Sequence, residues 1–199
     1  MARTSDPTRD RILDAANHLF YAEGIRSVSV DAVAERAKLT KKTLYYHFRS
    51  KDELIAAYLE SRDQPNLALF AKWFGEEGEG LIADRVEAIF VNLAKAARHK
   101  KWKGCGFLRT AAELANMPGH PAMKIGSAHK KKFEAWLAER FEHALLPEPH
   151  LLARQIVLLM DGAFSVMLVH RDPTYIEAAG KAASALVSAN GIAEQTKLS

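Results

Sequence analysis

The chain has 199 residues, and 28 lysines and arginines against 24 aspartates and glutamates leave a formal charge of +4. Hydrophobic residues make up 48% and charged residues 26%, a balance that excludes a disordered chain and supplies a core for one or two domains. The single cysteine, Cys105, excludes an internal disulfide and a multi-cysteine metal site. The opening MARTSDPTRDR has no apolar h-region, and the longest run of large apolar residues, Ile156 to Met160, is short of a membrane span. A cytoplasmic location without a membrane is therefore expected. With 33 alanines and 22 leucines against 9 valines and 9 isoleucines, helix formers dominate and an all-α fold follows.

Asp6-Pro7 is a helix start: a side-chain acceptor, then the residue tolerated at the first helical position. Ile12, Ala15, Ala16, Leu19 and Phe20 form one apolar stripe, and Gly24 is the expected stop. Ser29 can cap a short second helix carrying Ala32, Val33 and Ala37. Thr40 can cap a third, from Lys41 to about Phe48. Ser50-Lys51-Asp52-Glu53 reads as a capping box, with Glu53 reaching back, opening a fourth helix that extends to about Leu69. Residues 75–80 are a glycine-glutamate loop. A fifth helix follows from Leu81 to about His99, then helices near 106–116, 121–145, 150–170 and 173–190, about nine in all. Breaks at 117–121 and 147–149, and Asn190-Gly191 as the last stop, punctuate them.

Two short helices joined by Lys38-Leu39-Thr40 have the dimensions of a helix-turn-helix. On the second, Leu44 and Phe48 face the core, leaving Lys41, Lys42, Thr43, Tyr45, Tyr46 and His47 outward. Between Arg36 and Lys51 lie six cations and no acid. Such a run also fits a solvated surface. Joined to the turn, its caps and a pair of exposed tyrosines, it fits a helix laid on nucleic acid, where ammoniums and hydroxyls meet phosphates and base edges. Lys51 adds a cation at the start of the fourth helix, where free backbone N–H groups favour a phosphate.

Residues Arg11 to Ala16, Leu19-Phe20, Gly24, Val28 to Ala34, Thr43 to Phe48 and Ser50 to Leu54 together resemble the TetR family of regulators, over about residues 9–59. The resemblance implies an all-helical homodimer with an N-terminal three-helix head over residues 1–50 that binds DNA. A C-terminal helical domain over 51–199 would bind an effector and dimerise. The residues matching the family's DNA-contacting positions are Thr40, Lys41, Lys42, Thr43, Tyr45, Tyr46, His47 and Lys51. Lys38 and Lys42 depart from the pattern, standing where glycine is common. Lysine at a positive-φ turn costs about 1 kcal/mol. Either the turn differs here, or the added cation offsets the strain by touching phosphate.

From Ile156 to Val169 only Asp161 and Ser165 are polar, so this helix must be covered on more than one side. The next helix carries Ala178, Ala179, Gly180, Ala182, Ala183, Ala185 and Ala189, small enough for close approach. Helices near 150–170 and 173–190 from two chains would make a four-helix, two-fold interface. A deeply buried single-chain core is the alternative. Two heads about 34–36 Å apart would then read a palindromic operator.

A small-molecule effector is expected inside the helical domain. The candidates are Phe90, Trp102, Cys105, Phe107, Leu108, Phe133, Trp136, Met160, Asp161, Phe164 and Met167, all of which also fit plain packing. Asp161 needs a partner such as Arg109, another cation or a second subunit. The lysines at 100–103 could activate Cys105, although an inert residue is the simpler reading. Those at 130–132 read as a solvated face. The histidines show no metal-ligand spacing, and no phosphate loop, nucleophile elbow or dinucleotide fingerprint is present. No enzyme, cofactor or metal is expected. The competing class is a helical small-molecule-binding protein or enzyme whose basic helix is incidental.

Overall fold

The computed structural model describes residues 6–75 and 80–195, with side chains to residue 191. Among the described residues every regular element is a helix. In order they are α1 (Pro7–Glu23), α2 (Val30–Arg36), α3 (Lys41–His47), α4 (Lys51–Phe74), α5 (Ile82–Ala97), α6 (Gly106–Glu113), α7 (Pro121–His143), α8 (Pro149–His170) and α9 (Thr174–Gln195). The all-α expectation holds.

Local chemistry sets the starts. The Asp6 carboxylate accepts from Thr8 N–H at 3.0 Å and Arg9 N–H at 3.3 Å. Ser29 accepts from Ala32 N–H and Thr40 from Thr43 N–H, both at 3.1 Å. These bonds satisfy donors that the first helical turn leaves free. At α4, Ser50 Oγ accepts from Glu53 N–H at 3.1 Å as expected, but Glu53 reaches Arg49 N–H at 2.8 Å, not Ser50. Gly24, at φ 91°, ends α1.

Several ends differ from the sequence pattern. α4 runs past Pro65 to Phe74 because its last turns stay anchored: Phe70 packs on Phe133 at 4.8 Å and Phe74 on Trp136 at 5.1 Å. α6 stops at Glu113. α9 continues through Asn190 and Gly191, with the Asn190 amide donating to the Leu186 carbonyl at 2.8 Å inside the helix. Of the expected loop at 75–80, residues 76–79 lie outside the described residues.

The chain divides into two compact units, Met1–Pro65 with Cys105–Ser127, and Asn66–Gly104 with Ala128–Ser199. The expected functional division at 50/51 concerns DNA and effector binding and does not coincide with this one. The reason lies in packing. α6 contributes Phe107, and the segment after it Leu114, to a core with Ile12, Phe20, Leu44 and Tyr58. Gly106 approaches Tyr58 so closely that a Cβ there would lie 2.9 Å from its hydroxyl. Polar ties reinforce this: Arg109 donates to the Tyr21 carbonyl at 2.7 Å, and Glu113 accepts from Arg26 N–H at 2.9 Å.

The second unit is built on α5, α8 and α9, with Ile89, Phe90, Leu152, Ile156, Ile176 and Ala183 buried. Gly180 of α9 lies directly on Phe90 of α5, so small residues of α9 serve packing within one chain. α8 is 22 residues long and contains an 18-residue stretch with a mean hydropathy of 1.7, enough by length and composition to cross a membrane. The largely buried core helix of a soluble protein passes the same test. One side of α8 is buried in its own unit, while Leu151, Leu158, Leu168 and Val169 are exposed.

Candidate nucleic-acid interface

α2, the turn and α3 belong to the first unit and pack with α1. Leu44 and Phe48 are buried, so the helical period turns the other side of α3 outward. Tyr46 is 85% exposed and Tyr45 42%. Neither residue is part of the buried core. Thr40, Lys41 and Lys42 are exposed as expected, while Thr43 is half-buried with its hydroxyl 2.8 Å from that of Thr40.

Two expected residues point elsewhere. His47 is only 11% exposed, because its Nδ1 lies 3.2 Å from the Asp6 carboxylate that caps α1. Its edge also meets the Tyr46 ring at 5.2 Å. Lys51 is half-buried and its ammonium donates to the Arg26 carbonyl at 3.4 Å. Burial pushes its pKa down, partly offset by the nearby carboxylates of Glu113 and Asp52.

The basic face is unevenly free. Lys41 bonds Asp31 at 2.9 Å, and that hydrogen bond and charge raise the lysine pKa. Lys42 and Lys38 are exposed and pair with no carboxylate among the described residues. Lys38 has φ 54°, the left-handed conformation expected where glycine is usual. Sequence reasoning missed Arg11, whose guanidinium donates to the Ala37 carbonyl at 2.6 Å. A hydrogen bond across 26 residues leaves no local signal.

The effector candidates do not gather in one unit. Cys105, Phe107 and Leu108 belong to the first, Phe107 within its core. Phe90, Trp102, Phe133, Trp136, Met160, Asp161, Phe164 and Met167 belong to the second. There Trp102 stacks on Phe164 at 6.1 Å and Phe133 on Trp136 at 5.8 Å. Asp161 pairs with Lys130, not Arg109, and the Lys130 ammonium sits 5.7 Å from the Phe164 ring centre. The 130–132 run is therefore not simply solvated. Cys105 is half-buried. Among the described residues no group of three or more metal-ligating side chains occurs.

A capped short helix, a tight turn and a second short helix with a basic, phenolic outer face define a helix-turn-helix protein. The comparisons agree with that geometry. The family described as bacterial regulatory proteins, tetR family, matches residues 12–58. The chain is 39% identical over 89 residues to the HTH-type transcriptional regulator UidR of Escherichia coli, covering 45% of this chain and 44% of that one. It is 39% identical over 64 residues to the HTH-type transcriptional regulator SrpR of Pseudomonas putida, covering 32% and 30%. The chain thus spans less than half the length of these curated relatives. A crystal structure of a TetR-family transcriptional regulator from Streptomyces coelicolor aligns over 92% of this chain and 95% of that one, at 29% identity and a TM-score of 0.78. Residues 12–58 thus carry the sequence of a TetR-family DNA-binding head, and the whole fold is similar to that of a TetR-family regulator.

Proposed function

We propose that the protein is a ligand-responsive, DNA-binding transcriptional regulator acting as a repressor in the cytoplasm, and not an enzyme. The observation that carries this reading is the outer face of α3, where Tyr46 at 85% exposed and Tyr45 at 42% stand beside Lys41 and Lys42. An isolated protein gains nothing from two exposed phenols there. On a duplex they reach phosphate and base edges. Thr40, Lys41, Lys42, Thr43, Tyr45 and Tyr46 make the contacts, with Lys51 and His47 adjusting their side chains to join.

The functional protein is a homodimer. A groove of about 530 Å³ along α8 and α9, lined by apolar residues including Leu158, Leu159, Val166 and Leu186, and the exposed α8 leucines support it. Two heads then read a palindromic operator, each raising the effective concentration of the other. The head over residues 1–50 binds DNA, and residues 51–199 dimerise and take a small-molecule effector among the aromatic side chains of the second unit. An effector that binds better when the heads are misplaced shifts the population off DNA by its differential affinity.

The test is selection of duplexes from a random pool, with and without candidate metabolites. Enrichment of a two-fold symmetric sequence, lost on adding an effector, is the expected result. A pool that stays random contradicts the reading and favours a helical ligand-binding protein or enzyme with an incidental basic helix.

A further inference from the structure

We propose that Lys38 is a DNA phosphate contact and that Arg11 positions it, an inference that rests on the regulatory reading above. α2 ends in a paired bond pattern: Lys38 N–H donates to the Glu35 carbonyl and Leu39 N–H to the Ala34 carbonyl, both at 2.9 Å. This closure places one residue in the left-handed region, where glycine is free of strain and a lysine is not. Here that residue is Lys38, at φ 54°.

The strain has no return within the fold. The Lys38 side chain is exposed, and among the described residues its ammonium bonds no carboxylate. A strained residue whose side chain adds nothing to packing points to a functional constraint. The turn is also held from outside. Arg11 Nη2 donates to the Ala37 carbonyl at 2.6 Å and lies 3.4 Å from that of Lys38. A guanidinium on these carbonyls meets the negative end of α2 and fixes the backbone carrying the lysine. Lys38 stands two residues before the cap of α3, flanked by exposed Arg36, Lys41 and Lys42, at the rim where a duplex lying on α3 presents its backbone. Asp10 and Asp14 line a surface pocket together with Arg11, Arg36 and Lys38 and are the competing partners for the ammonium.

The experiment compares wild type with Lys38→Gly, Lys38→Arg and Arg11→Ala. It uses the full chain, the duplex enriched by wild type, fluorescence anisotropy over a salt series, and thermal melting. Lys38→Gly relieves the strain, so it should melt higher yet bind severalfold more weakly, with a salt slope smaller by about 0.9 for each phosphate no longer neutralised. Lys38→Arg should keep the wild-type slope. Arg11→Ala should weaken binding, and Lys38→Gly added to it should bring no further fall in slope. A purely structural turn would move stability and affinity together. Lys38→Gly binding as tightly as wild type with an unchanged slope overturns the proposal, and so does an Arg11→Ala protein of full affinity. Wild type binding no duplex would sink the regulatory reading first, before any variant is made.

Discussion

Replacing Gly180 by alanine tests the close approach of α5 and α9. A methyl at this position would lie 2.6 Å from Phe90 Cβ and 3.3 Å from its Cγ. Both atoms sit at the root of a side chain that is 0% exposed, so the ring cannot swing aside and the helices must separate. Alanine gains about 1 kcal/mol over glycine in a helix interior, while overpacking a core costs about 1–3 kcal/mol. The net change is a loss of about 0–2 kcal/mol. Gly191→Ala supplies the control on the same helix, because its nearest neighbour would be Leu146 Cδ2 at an ordinary 3.6 Å. That variant should gain about 1 kcal/mol. The gap between the two, roughly 1–3 kcal/mol, corresponds to about 2–12 °C in Tm for a chain of this size. Thermal melting of both variants, with urea titration alongside, measures it. Equal shifts for Gly180→Ala and Gly191→Ala would refute the packing argument.

Three further outcomes follow from named contacts. Asp161→Ala leaves Lys130 half-buried without its carboxylate and should cost about 1–3 kcal/mol, between the exposed and buried limits for ion pairs. Adding Lys130→Met should restore most of it, and a double-mutant cycle in urea reads the coupling. Burial pushes the Tyr58 pKa up to about 12 from 10. Its neutral form therefore stabilises the fold fully below pH 10, and that contribution is lost as the pH rises towards about 12. Tyr58→Phe should flatten this alkaline fall, and identical pH–stability curves would contradict it. Leu158, 66% exposed on α8, should be covered by a second copy. Leu158→Arg should halve the mass measured by light scattering without lowering helix content, whereas an unchanged mass would contradict a dimer through α8.

What the sequence shows well is what depends on neighbours along the chain. Asp6, Ser29, Thr40 and Ser50 each cap the helix that follows because the donors lie two or three residues away. The outward face of α3 follows from the buried Leu44 and Phe48 alone. Interactions across long stretches of chain are invisible at that level. Arg11 reaches Ala37, Lys130 reaches Asp161, and Asp6 draws in His47. So one residue assigned to the outer face turns inward, and a lysine assigned to solvent is half-buried. The alanine-rich stripe of α9 shows the same limit: small residues announce a close helix but not which one, and Gly180 meets α5 of its own chain. The aromatic effector candidates fall in two units because periodicity marks burial without saying in which unit. Phe107 and Phe133 carry the same signal and lie in different cores.

A Tyr46→Ala, Lys42→Ala double variant asks whether the exposed face of α3 binds DNA. Both side chains are exposed, so the fold should keep its melting temperature. Affinity for the selected duplex, measured at several salt concentrations, should fall at least tenfold, roughly 1.4 kcal/mol or more. The wild type should weaken steeply as salt rises. A folded double variant that holds the duplex as tightly as wild type would mean that this face does not bind DNA.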